Sequence, residues 1–133
     1  KYVSEQLKDQ LAIAFFSPDD FTKGVTYFGV RPPFITESMQ GGFENTSIIL
    51  MGCEGLNNTS MAQAFIEKGA KVYISWTGPV SASHTDQATT VLLQHLTLEK
   101  QTIRQIVENT MKEVGPDPTS NAVLHYYPPD AGD

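Results

Sequence analysis

The sequence predicts an α/β domain with three layers, α/β/α, in which helices cover both faces of a mostly parallel sheet. Residues 47–51 form a short apolar run that is partly β-branched and ends at a glycine turn, which is typical of a buried strand, and we expect it to be the central strand of the sheet. A helical pattern and a second apolar run at residues 70–76 follow closely. This is the order of a βαβ unit, with parallel strands and a right-handed crossover.

Length and composition limit the classes of protein to which the chain can belong. It has 133 residues, of which 40% are hydrophobic and 18% charged, which favours one soluble domain over residues 1–127 with a flexible tail at 128–133. The net charge of −6 argues against a nucleic-acid partner, and no apolar run is long enough to span a membrane. The single cysteine cannot form an internal disulfide, which favours a cytoplasmic location.

The first 42 residues contain weaker signals. Apolar spacing predicts an amphipathic helix through about Gln10. Residues 11–16 and 25–30 have strand composition around a turn cluster at 17–20, so residues 11–30 are expected to form a hairpin. A short helix at 34–40 is expected to follow Arg31-Pro32-Pro33 and to end at two glycines.

Three longer helices and a last strand are expected beyond the first strong strand. Several possible N-caps at residues 57–60 precede a helix that ends at Lys68-Gly69. Apolar spacing predicts further helices at 83–96 and 102–114, and the second of these ends at a Gly-Pro-Asp-Pro segment. Residues 122–127 are expected to form an edge strand.

The carboxyl ends of the two strong strands are expected at the same edge of the sheet. This places Gly52-Cys53-Glu54-Gly55 beside Trp76-Thr77-Gly78-Pro79, at the edge where open α/β sheets bind ligands. Cys53 is then either a nucleophilic thiol or a buried structural one. The backbone amides of Gly52 and Gly55 are candidates for stabilising an anion or oxyanion.

This arrangement resembles the caspase-like cysteine peptidases, a group that includes caspases, legumains, gingipains and separases. The resemblance covers roughly residues 43–96 and is nearest to a microbial, gingipain-type branch. It implies that Cys53 is the nucleophile, and Glu54 matches a glutamate that legumains place after theirs. It also implies that the strand containing Trp76 and Thr77 lines the pocket for the substrate residue before the cut. The implied substrates are peptides or proteins.

The histidines depart from the family pattern. Members of the family place the catalytic histidine on the strand before the cysteine strand, whereas His84, His95 and His125 all follow Cys53. Because Lys1 is not a methionine and periodic structure begins at once, we expect the carboxyl-terminal part of a larger caspase-like domain, inactive by itself. The base is then expected upstream of Lys1, although loss of the dyad and substitution by another histidine stay open.

His84 is the candidate for such a substitution. It lies at the start of a predicted helix on the same sheet edge as Cys53, and Asp86 is placed to orient it. The alternative is a surface histidine near a helix start. Glu54 and Asp86 either select a basic substrate group or are solvated carboxylates, and Trp76 either lines a pocket or fills the core.

No cofactor is expected from the sequence. The histidines do not cluster with other ligands into a zinc site, and the glycines at 52, 55 and 78 are not followed by the Gly-Lys-Ser/Thr of a phosphate loop. Two functions therefore compete. One is a cysteine peptidase, and the other is a non-catalytic binding domain on the same scaffold, which can form homo-oligomers through an exposed sheet edge.

Overall fold

A computed structural model describes residues 1–98 and 100–133 and shows an α/β protein. The chain divides into two compact units, Lys1–Gly41 and Gly42–Asp133, whereas the sequence predicts a single domain over 1–127. Each unit has its own small sheet, one with two strands and one with three. Among the described residues, no helix has both the length and the apolar character needed to cross a membrane.

The first unit is built on a two-stranded antiparallel sheet. Its elements are α1 (Val3–Leu7), β1 (Leu11–Ala14), α2 (Pro18–Lys23), β2 (Tyr27–Val30) and a π-helix (Phe34–Ser38). β1 and β2 pair from Leu11 opposite Val30 to Ala14 opposite Tyr27, which confirms the expected antiparallel pairing. The side chain of Gln10, only 2% exposed, connects this sheet to the π-helix through Glu37 (2.9 Å) and Ser38 (2.7 Å).

The connection between β1 and β2 is a helix rather than the tight turn expected at residues 17–20. The Ser17 hydroxyl accepts a hydrogen bond from the Asp20 amide at 3.2 Å, and Pro18 occupies the first turn. Gly24 ends the helix with a left-handed φ of 68°. Ser-Pro-Asp-Asp therefore serves as a helix start, because turns and helix N-termini favour the same residue types.

The described residues of the second unit form seven elements. They are β3 (Ser47–Leu50), α3 (Ser60–Glu67), β4 (Val72–Trp76), α4 (Ala82–Thr97), α5 (Ile103–Val114), β5 (Leu124–Tyr127) and a 3₁₀-helix (Pro129–Gly132). The three expected helices of this region are present within one or two residues of their expected ends. α5 begins with a capping box between Thr102 and Gln105 and ends at Gly115.

The strands of this unit form one mixed sheet in the order β3-β4-β5. β3 and β4 are parallel, from Ser47 opposite Val72 to Leu50 opposite Ser75, which confirms the βαβ unit. β5 is antiparallel to β4 and occupies the outer edge, as expected. The sheet is therefore not mostly parallel, and β4 is central whereas β3 lies at an edge. An apolar run alone does not distinguish these positions, because both kinds of strand bury side chains.

Every residue of β4 is buried, and helices contact both of its faces. Alternation sends Val72, Ile74 and Trp76 toward one face, where they pack into a cluster with Ala88, Leu92, Ile106 and Val107 of α4 and α5. Tyr73 points to the other face and stacks on Phe65 of α3, with ring centroids 5.9 Å apart.

The carboxyl-terminal segment packs on the domain, whereas the sequence predicts a flexible tail over residues 128–133. Pro129–Gly132 contacts α5 and β5, and Gly132 lies so close to the Tyr126 ring that a side chain there would overlap it. The Asp133 carboxylate pairs with Arg104 at 3.0 Å. Ring packing and this ion pair hold a segment whose composition resembles a tail.

Candidate functional site

The turn that carries Cys53 runs alongside the segment that follows β4, as the sequence predicts. The Glu54 amide donates to the Gly78 carbonyl, and the Leu56 amide donates to the Trp76 carbonyl, each at 2.9 Å. These bonds continue the contact between the parallel strands past their carboxyl ends. The cysteine is therefore fixed at the sheet edge where α/β proteins bind ligands.

The turn can approach β4 this closely only because residue 55 is glycine. A Cβ at Gly55 would overlap the side chain of Ser75, whose hydroxyl donates to the Leu50 carbonyl. The other glycine of the turn, Gly52, has open space around it. Gly55 therefore has a structural reason to be glycine, whereas Gly52 is unconstrained by packing.

The Cys53 thiol is exposed and lies against the backbone of Val80. Its sulfur is 3.3 Å from the Val80 amide nitrogen and 3.3 Å from the Val80 carbonyl oxygen. The thiol therefore donates to the carbonyl, and the sulfur accepts from the amide. An amide N–H directed at sulfur is a donor that a thiolate can also use. The thiol is not a buried structural one, which was the alternative left open by the sequence.

A buried chain of hydrogen bonds holds the residue two positions before Cys53. The indole N–H of Trp76, which is completely buried, donates to the Thr85 hydroxyl at 3.0 Å. That hydroxyl donates to the Met51 carbonyl at 2.7 Å. Trp76 is therefore a core residue rather than a pocket residue, because an indole without exposed surface does not line an open pocket.

His84 contacts the segment that ends α5. Its Nε2 is 3.0 Å from the Gly115 carbonyl oxygen, and its ring lies 5.5 Å from that of Trp76. Asp86 is exposed. Within residues 1–98 and 100–133, no hydrogen bond joins either side chain to Cys53, so the structure does not assemble the proposed dyad.

The other two histidines also have contacts away from Cys53. His95 Nε2 is 2.6 Å from a carboxylate oxygen of Glu113, and His125 on β5 accepts the Tyr126 amide at 2.7 Å. None of the three histidines is therefore placed by its hydrogen bonds as the base for the thiol.

The remaining candidate pocket residues have different surroundings. Glu54 is exposed and has a left-handed φ of 58°, which directs the chain through the turn. The Thr77 hydroxyl is 3.2 Å from the Val123 carbonyl and also accepts the Val123 amide, so it joins the ends of β4 and β5. Thr77 contributes to an open cavity of about 270 Å³, together with Leu56, Thr59, His125, Tyr126, Tyr127 and Pro129.

Asp117 is a buried carboxylate that was not among the candidate residues. Its side chain accepts hydrogen bonds from the amides of Ser81 (2.9 Å), Thr119 (2.9 Å) and Ser120 (3.0 Å). These donors hold the pKa of the Asp117 carboxyl well below its usual range. The pattern Asp-Pro-Thr-Ser is typical of an aspartate that bonds amides two and three residues later, and this signal could have identified it.

Asp117 is one of the residues around a second cavity, of about 250 Å³. The cavity is lined by Pro79, Val80, Ser81, Asp117, Thr119 and Ser120. One of these residues, Val80, also bonds the Cys53 sulfur through its backbone. The sequence could not predict this cavity, because it joins residues 79–81 to residues 117–120, which are far apart along the chain.

Comparisons with known proteins identify no relative of the chain. No protein-family model matches the chain, and neither the curated proteins nor the solved structures contain a significant match. Over the described part of the chain, no three histidine, cysteine or acidic side chains are grouped so that they could hold a metal ion. The function is therefore inferred from the geometry of the cysteine turn.

Thr85→Val is expected to destabilise the domain by about 1–3 kcal/mol, because it leaves the buried indole N–H of Trp76 without an acceptor. The matched control is Thr89→Val on the same helix, whose hydroxyl bonds only the Thr85 carbonyl within α4. Urea unfolding of both variants measures the difference. Equal losses of unfolding free energy in the two variants would show that the bonds of Thr85 to Trp76 and Met51 stabilise the domain no more than the bond of Thr89 within α4.

Asp117→Asn is expected to destabilise the protein more at pH 7 than at pH 3. The folded carboxyl has a lowered pKa, so its contribution is present above the unfolded value of about 3.9 and is lost as the pH falls below it. Urea unfolding at pH 7, 5 and 3 measures the gap between wild type and variant. Asp130→Asn, at an exposed aspartate, is the control; a gap for Asp117→Asn that does not change with pH contradicts the assignment.

Proposed function

We propose that the chain is the nucleophile-bearing part of a cysteine-peptidase-like domain with the caspase-like, three-layer arrangement. The observation that carries this proposal is the exposed Cys53 thiol, held by the Val80 backbone directly beyond a pair of parallel strands. Rigid strands position nucleophiles well, and this sheet edge is the usual place for chemistry in α/β folds.

In the proposed reaction, the Cys53 thiolate adds to the carbonyl carbon of a peptide bond. The carbonyl oxygen becomes an oxyanion, for which the amides of Gly52 and Gly55 are the candidate donors. The C–N bond then breaks, the amine leaves with a proton, and water hydrolyses the resulting thioester. The substrate class is a peptide or protein, and the reaction needs no cofactor.

The general base in this proposal comes from residues other than the three histidines of the chain. Among the described residues, no hydrogen bond joins these histidines to the thiol; their bonded nitrogens lie against Gly115, Glu113 and Tyr126. An exposed free thiol is also best kept reduced in the cytoplasm, which is the location we propose.

A second candidate is a non-catalytic scaffold that associates with itself, and the first unit favours it. Its sheet has only two strands, and large apolar side chains of the unit are exposed, including Leu7 of α1 (83%), Ile13 of β1 (57%) and Phe16 after β1 (84%). Two strands are marginal as an independent sheet, and their outer edges can accept another strand. The proposed occupant is a second copy of the chain.

The peptidase proposal predicts that a peptidyl acyloxymethyl ketone labels Cys53 in the protein at its full natural length. Because the described chain has one cysteine, mass spectrometry of the labelled peptide identifies the site, and Cys53→Ala is the control. Iodoacetamide serves as a second reagent, since it alkylates any accessible thiol. Alkylation by iodoacetamide without labelling by the ketone would overturn the peptidase proposal.

The self-association proposal predicts a molar mass in light scattering that rises with protein concentration. Ile13→Lys is expected to abolish this rise, because a charge on an edge strand disfavours pairing with another strand. The matched control is Leu93→Lys, which changes an exposed leucine of α4. A monomeric molar mass at every concentration would contradict the self-association proposal.

A further inference from the structure

We infer that Met111 is a site of reversible oxidation by a peroxide, and that the Leu124 amide and the Arg104 guanidinium hold the resulting sulfoxide oxygen. The inference does not depend on the proposed peptidase function. Its starting point is a hydrogen bond between α5 and β5, in which the Met111 sulfur accepts the backbone amide of Leu124 with 3.3 Å between nitrogen and sulfur.

The Met111 sulfur is a weak acceptor for a backbone donor that would bond a stronger one better. Leu124 is the first residue of β5, and β5 is the strand at the outer edge of the sheet. A thioether sulfur accepts hydrogen bonds only weakly, whereas the sulfoxide is a polar group with an oxygen acceptor. Oxidation of Met111 therefore supplies this amide with a better partner.

An open cavity of about 380 Å³ gives a peroxide access to the sulfur. Met111 is half-buried and lines this cavity together with residues of α5 and β5. The amide occupies one lone pair of the sulfur, so the second lone pair is available to react. Hydrogen peroxide is small and uncharged, so the apolar side chains of the lining do not exclude it. The methionine side chain has three rotatable bonds and can turn the new oxygen toward the amide.

In the proposed step, the second lone pair of the sulfur attacks one oxygen of hydrogen peroxide, and the O–O bond breaks. The thioether is oxidised to a sulfoxide and the peroxide is reduced. The departing hydroxide takes the proton left on the transferred oxygen and becomes water. Negative charge develops on the departing oxygen during this step, so a cation placed nearby accelerates it.

Arg104 supplies such a cation in the same cavity. It lies on α5 about two helical turns before Met111, so the two residues share a face of the helix, and both line the cavity. Its Nε and Nη2 donate to one oxygen of Asp133, at 3.2 and 3.0 Å. A guanidinium carries five N–H donors, so others are available to the departing hydroxide and then to the sulfoxide oxygen. Glu108, which also lines the cavity, is exposed, so solvent screens its charge.

The alternative is that Met111 only fills space beside the core. Its side chain packs against the buried cluster formed by α4, α5 and the strands. If this were its whole role, oxidation would be purely disruptive, because it would place a polar oxygen among apolar side chains. The two roles differ in the rate of oxidation and in the fate of the Leu124 amide.

The first experiment measures how fast hydrogen peroxide oxidises each of the four methionines of the chain, Met39, Met51, Met61 and Met111. It uses the protein at its full natural length with Cys53→Ala, so that the exposed thiol does not consume peroxide, and peptide mass spectrometry. Each rate is divided by the rate of the same residue in urea, where all four are accessible. Met111 is expected to have the highest ratio, and a ratio no higher than those of the other three overturns the inference.

Arg104→Leu is expected to lower the Met111 ratio about threefold, as the loss of one hydrogen bond to the departing oxygen implies. The matched control is Asp133→Asn, which removes the ion pair but keeps the guanidinium, and it is expected to leave the ratio undiminished. Equal ratios in wild type and Arg104→Leu overturn the assignment of Arg104 and with it the inference.

Hydrogen exchange of the Leu124 amide, followed by NMR, tests where the sulfoxide oxygen lies. With the other three methionines replaced by leucine, oxidation of Met111 is expected to slow this exchange about threefold, because the amide gains a stronger acceptor. Met111→Leu is expected to accelerate it, because leucine has no acceptor. Methionine sulfoxide reductase is expected to restore the original rate. Faster exchange in the oxidised protein, or a sulfoxide that the reductase does not remove from the folded protein, overturns the inference.

Discussion

The complete burial of β4 is the constraint on which the second unit depends. All five of its residues are inaccessible, so β3 and β5 must pair with its two edges while helices cover its faces. Trp76 at its end combines a large buried ring with a donor that needs a partner, and Thr85 supplies that partner. Because Thr85 also bonds Met51, the packing of the core determines where the cysteine turn begins.

In the candidate site, packing and hydrogen bonds hold the cysteine turn, whereas the cysteine itself is exposed. Gly55 lets the turn lie against Ser75, and two backbone bonds join the turn to the segment after β4. The Cys53 residue is exposed, and its sulfur exchanges hydrogen bonds with the Val80 backbone. An exposed thiol on a buried framework is the arrangement that the proposed peptidase chemistry needs.

Much of the second unit could be predicted from sequence, because its signals are local. Helical spacing, the glycine at residue 115 and the apolar runs before and after α3 are repeated patterns within one element. The first unit was harder, since Ser17-Pro18 suits both a turn and a helix start. The parallel strands predicted that Cys53 lies close to residues 76–79. The sequence did not predict that His84 bonds Gly115.

The sequence by itself determined the βαβ unit and the location of the only cysteine at its edge, because strand, turn and helix signals lie close together along the chain. Only the tertiary structure decided that β4 is central, that Trp76 is a core residue and that His84 bonds Gly115. It also brought Asp117 to the amides of Ser81, Thr119 and Ser120. Such contacts join distant segments, and their partners are selected by packing and hydrogen bonding in three dimensions, which a local pattern does not encode.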